Sequence, residues 1–260
     1  MAKKKYNFID LFCGAGGFAK GFEMTNKFQC IGGIDNKQSA IETHKLNFKK
    51  SVSICDDIRN ISPSEFNKLL NGQEVDLIIG GPPCPTFSTI GHAKIQSVNK
   101  NDINKDITTD PRNDLFLDFF RYVDFFRPKM FVMENVPQFL TKYDGATFNT
   151  VKELIKRDLP EYELVKEVKI LNAVNYGVPQ NRKRMILVGY RKGMNFKYPE
   201  ITHWHKESKY NLDPNNNETL ITKLEKHISV KSAISDLPKI TDNWRISEAE
   251  YSKHIGLDSY

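Results

Sequence analysis

Short apolar runs alternate with amphipathic stretches from residue 6 to about residue 190. The apolar runs have the length of strands and occupy residues 6–12, 28–34, 51–55, 75–79, 130–133, 162–171 and 185–190. Apolar residues at helical spacing occupy residues 18–24, 38–48, 115–126 and 148–156, and Pro63 stands where another helix would open. Continuous apolar strands are typical of sheets that are covered on both faces. The alternation therefore predicts an α/β fold with a mostly parallel, doubly wound sheet and right-handed crossovers.

Two stretches depart from this rhythm. Residues 90–110 are rich in Asn, Lys, Asp and Thr and are too long for an ordinary connection, which is typical of a lid or a binding loop. Beyond residue 190 the periodicity is weak, and Asn, Lys, His and Trp are scattered along the chain. We therefore expect one main domain over residues 1–190 and a differently built region over residues 191–260.

Composition excludes a membrane span and says little about the partner. No apolar run reaches the roughly 20 residues that a spanning helix needs. The first residues lack the apolar segment of a secretory signal, so we expect a cytoplasmic protein. The net charge of +6 slightly favours a polyanionic partner such as nucleic acid, because Lys and Arg neutralise phosphates.

The cysteines have no spacing that is typical of a zinc site, so no metal is expected. Cys13, Cys30 and Cys55 stand in apolar, strand-like surroundings, where a thiol usually behaves as a small hydrophobic group. Cys84 instead lies between prolines in a loop. It is therefore the candidate nucleophile.

Polar residues at the ends of three successive strands predict a nucleoside-binding site. A glycine-rich turn follows the first strand at residues 13–17, Asp35 closes the second, and Asp57 with Ile58 follows the third. Glycines let a backbone approach a ligand closely, and a carboxylate after the second strand accepts ribose hydroxyls. For Asp57, capping of the next helix is an equally good interpretation. The turn lacks the GxGxxG pattern, which disfavours a nicotinamide dinucleotide.

Four segments at strand ends resemble the motifs of one enzyme family. They are FIDLFCGAGGF at residues 8–18, GGPPCPTFS at residues 80–88, MENV at residues 133–136 and QNRKR at residues 180–184, and VKSAISDLP at residues 230–238 is similar to a later stretch. Their order and spacing resemble the cytosine-C5 DNA methyltransferases. The resemblance implies a Rossmann-like S-adenosylmethionine-dependent methyltransferase fold. Residues 1–190 would be its catalytic domain, and residues 191–260 would begin an incomplete target-recognition region.

The resemblance also implies a mechanism. Carbon 5 of cytosine is a weak nucleophile, and addition of a thiolate at carbon 6 makes it able to take a methyl group. Cys84 is the family match for the thiol, and Glu134 is the match for the group that protonates or hydrogen-bonds ring nitrogen 3. Asn135 would hold the Cys84 and Glu134 loops in register, and Arg182 would contact the target base. Arg184 is expected to support the fold or a neighbouring carboxylate.

The cofactor, S-adenosylmethionine, is expected to bind to eight residues. They are Phe12, Gly14, Gly16, Asp35, Asp57, Ile58, Pro83 and Leu115. Two positions depart from the family pattern. Asn36 replaces an aromatic residue that often covers the adenine, and Pro85 replaces a glutamine that often follows the nucleophile. The adenine face and one contact near the base would therefore come from other residues.

The expected substrate is double-stranded DNA, from which the cytosine must be flipped into the pocket. Residues 85–110 would close over the base and exclude water. Nothing after residue 190 matches the family's recognition region or last two motifs, so a longer polypeptide or a second chain would supply them. Restriction–modification is the usual role of such bacterial enzymes.

Three alternative functions stay open: a tRNA cytosine-C5 methyltransferase, a nonenzymatic cofactor-binding subunit and a nicotinamide oxidoreductase. The Pro-Pro-Cys loop disfavours the oxidoreductase.

Overall fold

A computed structural model describes residues 4–83, 111–204 and 224–237. The proposed nucleophile Cys84, the neighbouring Pro85 and the expected lid lie outside these ranges. The chain divides into two compact units. The first combines residues up to 170 with residues 184–198, and the second combines residues 171–183 with the residues from 199 onward. The border between the units thus differs from a single expected break at residue 190.

The first unit is built on one sheet. Its strands are β1 (Tyr6–Leu11), β2 (Phe28–Asp35), β3 (Val52–Cys55), β4 (Leu77–Gly80), β5 (Met130–Asn135), β6 (Tyr162–Leu164), β7 (Lys169–Asn172) and β8 (Lys183–Arg191), of which β7 and β8 extend into the second unit. Its helices are α1 (Gly17–Met24), α2 (Gln38–Asn47), α3 (Pro63–Leu69), α4 (Leu115–Phe126) and α5 (Ala146–Asp158). The strand order is β3-β2-β1-β4-β5-β8-β6, and β7 also pairs with β8.

The pairing confirms the predicted α/β class with a mostly parallel sheet. Strands β3, β2, β1, β4 and β5 are parallel neighbours, whereas β8 runs antiparallel to both β5 and β6. One predicted strand was wrong in its extent, because residues 162–171 form the two separate strands β6 and β7. The second unit contains the parallel pair β9 (His203–Trp204) and β10 (Glu225–Lys226) and the short helix α6 (Val230–Ala233).

The core explains why the central strands are largely apolar. Phe8 and Ile9 of β1, Ile78 of β4 and Phe131 of β5 are fully buried. Phe119 of α4 is also fully buried and meets the ring of Phe131 edge to face, with centroids 6.1 Å apart. Strands that are covered on both faces are mostly apolar, and this is the pattern seen in the sequence, with the buried Asp10 of β1 as an exception.

Helix α3 begins where the sequence predicts a helix start. Pro63 occupies its first turn, and the Ser62 hydroxyl accepts a hydrogen bond from the backbone N–H of Glu65. The Glu65 carboxylate in turn accepts one from the backbone N–H of Ser62. This capping box satisfies two amides that the helix itself leaves unpaired. No helix in the described ranges is long and apolar enough to cross a membrane.

The carboxyl ends of the parallel strands lie along one edge of the sheet. Leu11 of β1 is level with Ile34 of β2 and with Gly80 of β4, and Gly80 is level with Met133 of β5. Each of these residues is followed within one or two positions by a segment that the sequence analysis singled out. Because ligands of open α/β sheets bind outside this edge, the fold brings those segments to the expected place.

Candidate active site

The turn after β1 is shaped by left-handed backbone conformations. Phe12, Gly14 and Gly16 have φ values of 62°, 55° and 88°. At Gly16 a Cβ would lie 2.2 Å from the ring of Phe48, so no larger residue fits there. At Gly14 a Cβ would meet nothing within 4 Å, which means that this side of the turn faces open space. The turn therefore presents bare backbone to a ligand.

Asp35 at the end of β2 is fixed by backbone amides. Its Oδ2 accepts a hydrogen bond of 2.9 Å from the N–H of Gly14, and its Oδ1 accepts one of 2.9 Å from the N–H of Lys37. Each carboxylate oxygen has a second lone pair for a further donor. The contact with Gly14 joins the ends of β1 and β2, so the carboxylate is oriented before any ligand arrives.

Asp57 both caps a short helix and lines a cavity that Gly14 and Asp35 also line. It precedes a 3₁₀ turn (Ile58–Asn60) and accepts a hydrogen bond of 3.0 Å from the N–H of Arg59. The Arg59 guanidinium also pairs with it, at 2.9 Å from Nε to Oδ1. This side-chain hydrogen bond lowers the pKa of Asp57 to about 2, so the group is ionised at neutral pH. The two interpretations of Asp57 that the sequence left open are thus compatible.

A cavity of about 310 Å³ lies at the ends of β1, β2 and β3. Seven of the eight predicted cofactor residues line it: Phe12, Gly14, Asp35, Asp57, Ile58, Pro83 and Leu115. Gly16 does not line the cavity, and its place is in the packing of the turn against Phe48. Sequence reasoning did not select the further lining residues Ile34, Lys37, Ala40, Asp56 and Gly81. Most of these residues lie within two positions of a predicted cofactor residue, and this closeness in sequence could have identified them.

Asn36 also lines the cavity, at the position where an aromatic residue was expected. The apolar surface of the cavity comes instead from Phe12, Ile58, Pro83 and Leu115. Phe12 and Ile58 follow different strands, so apolar groups reach the cavity from more than one side. An adenine ring would find apolar contacts here without the missing aromatic residue.

Glu134 and Asn135 end β5, one strand away from the cavity. The Asn135 side chain is buried, and its Nδ2 donates a hydrogen bond of 3.1 Å to the carbonyl oxygen of Pro82. This bond joins the end of β5 to the turn that leads into Cys84.

Glu134 forms an ion pair with Arg184 of the neighbouring strand β8. The distance from Arg184 Nε to Glu134 Oε1 is 2.7 Å, and each side chain is about a quarter exposed (25% and 27%). Partial burial strengthens such a pair relative to one on the open surface. Arg182, predicted to contact the base, belongs to the second unit, where its carbonyl oxygen accepts a hydrogen bond from the N–H of Ala173.

Within the described ranges no group of three or more His, Cys, Asp or Glu side chains is placed to hold a metal ion. The described part of the site contains carboxylates, a guanidinium and backbone groups. Burial raises the pKa of the Cys13 thiol above its ordinary range, and the nearby carboxylates of Asp10 and Asp35 raise it further. Burial and this raised pKa both disfavour the thiolate form of Cys13, although it stands in the glycine-rich turn.

Comparison with solved structures defines the class of protein. A crystal structure described as a DNA modification methyltransferase encoded within a prophage (E. coli) matches 98% of this chain and 62% of its own, with a TM-score of 0.67 and 28% identity. Spodoptera frugiperda DNMT2 matches 75% of this chain and 52% of its own, with a TM-score of 0.55, and at 21% identity it supports the fold alone. The chain has the Rossmann-like fold of S-adenosylmethionine-dependent methyltransferases.

The family follows from the sequence comparison. The model of the C-5 cytosine-specific DNA methylase family matches residues 6–258. The type II methyltransferase M.DdeI of Desulfomicrobium norvegicum is 36% identical over 90% of this chain and 49% of its own length. M1.HphI of Haemophilus parahaemolyticus is 35% identical over 75% of this chain and 49% of its own length. This chain belongs to the C-5 cytosine-specific DNA methylase family.

The chain spans about half the length of several of these relatives. M.AquIA of Picosynechococcus sp. differs in this respect, because the 34% identity covers 90% of this chain and 89% of M.AquIA. A relative that matches over nearly its whole length therefore exists beside relatives that are about twice as long.

Proposed function

We propose that this chain supplies the S-adenosylmethionine-binding and catalytic part of a DNA cytosine-5 methyltransferase of a restriction–modification system. The observation that carries the proposal is the arrangement at one sheet edge. A cavity with two oriented carboxylates lies beside the turn that leads to Cys84, and the ion-paired Glu134 ends the next strand. The names of the relatives, which are type II methyltransferases, support the biological setting.

The residues around the cavity fit the proposed cofactor. Asp35 has oxygen lone pairs for ribose hydroxyls, and the ionised Asp57 can accept from an exocyclic amine of the adenine. The open space in front of Gly14 admits a ligand close to the backbone. When bound, S-adenosylmethionine supplies a methyl group attached to a positively charged sulfur, which makes the methyl electrophilic.

Asp35→Asn is expected to weaken S-adenosylmethionine binding by about tenfold or more. The amide keeps the size of the side chain but loses the charge that strengthens its hydrogen bonds, and such bonds contribute about 1.5–3 kcal/mol. Equilibrium dialysis of labelled cofactor against the DNA-free protein measures the change. Asp158→Asn is the matched control, because Asp158 pairs with its neighbour Arg157 on the surface and does not line the cavity. Equal affinity in Asp35→Asn and wild type would contradict the assignment.

The proposed catalytic steps use this chain's own residues. The Cys84 thiolate adds to carbon 6 of the cytosine and pushes electron density toward carbon 5 and ring nitrogen 3. Glu134 holds or protonates nitrogen 3 and so absorbs the charge that develops there. After carbon 5 carries the methyl group, a base removes the hydrogen from carbon 5, and the electron pair of that bond expels the Cys84 thiolate. The proton that Glu134 gave to nitrogen 3 returns to Glu134, so the methylated cytosine leaves neutral and the Cys84 thiolate is regenerated.

Arg184 and Asn135 act on the positions of these groups. The Arg184 guanidinium keeps the Glu134 carboxylate in one orientation, and Asn135 ties the end of β5 to the turn before Cys84. Arg182 is proposed to contact the target base. Because the target atom is inaccessible within a stacked duplex, the cytosine has to be flipped out of the helix, and closure of residues 85–110 over it is part of the same proposal.

The recognition region is proposed to come from residues that this chain does not contain, on the same polypeptide or on a second one. The relatives of about twice this length support the first arrangement. M.AquIA, which this chain matches over 89% of its length, is a relative of similar length to this chain. In either arrangement this chain alone is expected to bind DNA weakly and with little sequence preference.

Tritium transfer from labelled S-adenosylmethionine tests the proposed function. The chain is assayed with duplex DNA and with tRNA, first alone and then with a carboxy-terminal complement from a relative. We expect transfer to duplex DNA that rises strongly when the complement is present. Transfer to tRNA but not to DNA would overturn the substrate, and full activity of the chain alone would overturn the need for a complement.

A further inference from the structure

Gly80, the last residue of β4, and Gly81, which follows it, lack side chains for different reasons. A Cβ on Gly80 would lie 2.5 Å from the backbone oxygen of Leu11, so β1 itself excludes a larger residue. A Cβ on Gly81 would lie 3.1 Å from Oε2 of Glu134, and the backbone oxygen of Glu134 would be 3.9 Å away. Gly81 does not have a positive φ, so its backbone accepts an L-residue. What a side chain at Gly81 meets first is the Glu134 carboxylate.

That carboxylate has little freedom to move aside. Its other oxygen, Oε1, is held at 2.7 Å by Nε of Arg184. The next residue, Asn135, is bound to the carbonyl oxygen of Pro82, so the end of β5 is fixed to the residue that follows Gly81. Strand β5 is also paired on both sides, with β4 and with β8. A side chain at position 81 that displaced Oε2 would therefore rotate the Glu134 carboxylate about the hydrogen bond between its Oε1 and Arg184 Nε.

We propose that Gly81 is a positioning residue for Glu134. Because Gly81 has no side chain, the Glu134 carboxylate can lie against the backbone of the turn before Cys84. This contact sets the separation between Glu134 and that turn. The role in catalysis rests on the proposed function, whereas the contact between Gly81 and Glu134 does not. If Gly81 served packing alone, an added side chain would destabilise the protein whether or not Glu134 is present. If Gly81 positions Glu134, an added side chain destabilises the protein because it displaces the Glu134 carboxylate.

A double-mutant cycle separates these two explanations without measuring activity. Gly81→Ala is made in the wild type and in Glu134→Ala, and the melting temperature of each protein is measured in the absence of cofactor and DNA. We expect Gly81→Ala to lower the melting temperature by roughly 2–4 °C or more in the wild type and by clearly less in Glu134→Ala, because the obstacle has been removed. Gly21→Ala in α1 is the matched control, since a Cβ there meets nothing within 4 Å.

Each outcome of the cycle decides the structural claim. A variant that folds only when Glu134 is also replaced supports the proposal. Equal shifts in both backgrounds overturn it, and so does failure to fold in both. Because the protein needs no substrate for this measurement, the cycle gives its answer even if the proposed methyl transfer is refuted.

Kinetics of the complemented enzyme test the positioning role itself. Gly81→Ala is expected to lower kcat on the order of tenfold to a hundredfold, because small misplacements of a reacting group have effects of this size. The pH dependence of kcat should shift with it, since the environment of Glu134 has changed, while the KM for S-adenosylmethionine changes less than kcat. An unchanged kcat and pH profile, with only KM raised, would refute the role and would make Gly81 part of the cofactor cavity that it also lines.

Discussion

Cys84→Ser is expected to reduce methyl transfer by about a thousandfold or more, leaving S-adenosylmethionine binding within a few-fold of the wild type. A hydroxyl has the same shape as the thiol, but it is hardly ionised near neutral pH and adds poorly to a pyrimidine. Loss of a covalent nucleophile commonly has effects of this size. Initial rates of tritium transfer to duplex DNA by the complemented enzyme measure the change, and dialysis measures cofactor binding separately.

Cys55→Ser is the matched control for the nucleophile. Cys55 is exposed at the end of β3 and does not line the cavity, so its replacement should leave both measurements unchanged. A duplex containing 5-fluorocytosine provides a second readout, because the fluorine at carbon 5 prevents the last elimination and leaves the protein attached to the DNA. The adduct should form with wild type and Cys55→Ser but not with Cys84→Ser. Turnover by Cys84→Ser within tenfold of the wild type would rule out the covalent mechanism.

Glu134→Gln is expected to lower kcat by about 10²–10⁴-fold, the range that general acid–base groups usually contribute. The amide has the size of the carboxyl group, but it neither donates a proton to ring nitrogen 3 nor balances the charge of Arg184. Glu134 does not line the cavity, so the dissociation constant of S-adenosylmethionine should stay within a few-fold of the wild type. Single-turnover rates with duplex DNA, measured beside cofactor dialysis, separate the two effects.

The control for this carboxylate is Glu163→Gln, which changes an exposed carboxylate of β6. It should leave both the rate and the cofactor affinity unchanged. A Glu134→Gln enzyme that retains its rate but loses cofactor would reassign the carboxylate from the base to the cofactor.

The central sheet could be predicted because burial dictates its residue types. Strand β4 is buried along its whole length and is apolar throughout, and β1 is buried over its last four residues, which are apolar apart from Asp10. The same reasoning overextended the run at residues 162–171, where the chain leaves β6 and returns as β7. Val165 still donates its N–H to Val188 of β8, so the segment follows the sheet without continuing as a strand. The pattern of apolar and polar residues along the chain does not show where such a strand is interrupted.

There is a geometric reason why seven of the proposed cofactor residues line one cavity. Carboxyl ends of neighbouring parallel strands share one edge, so residues just after separate strands converge there without any knowledge of side-chain contacts. The resemblance placed Arg184 beside the fold or a neighbouring carboxylate, but the local pattern did not identify Glu134 as that carboxylate. Arg182 and Arg184 are two residues apart and would share a face of an extended chain. The start of β8 at Lys183, and its antiparallel pairing with β5, bring Arg184 to Glu134. That long-range pairing is absent from the local sequence.

The interleaving of the two compact units has a practical consequence for dissecting the protein. Residues 184–198 return to the first unit after the second has begun, and within them the Tyr198 hydroxyl donates to the backbone oxygen of Ile186 and its ring meets Phe196 edge to face. An expression fragment cut at residue 190 would lose this segment, and with it the hydrogen bond from Tyr198 to Ile186 of β8 and the rings of Phe196 and Tyr198. A shortened protein that keeps the first unit whole has to extend to Tyr198. It then contains residues 171–183 as an internal segment.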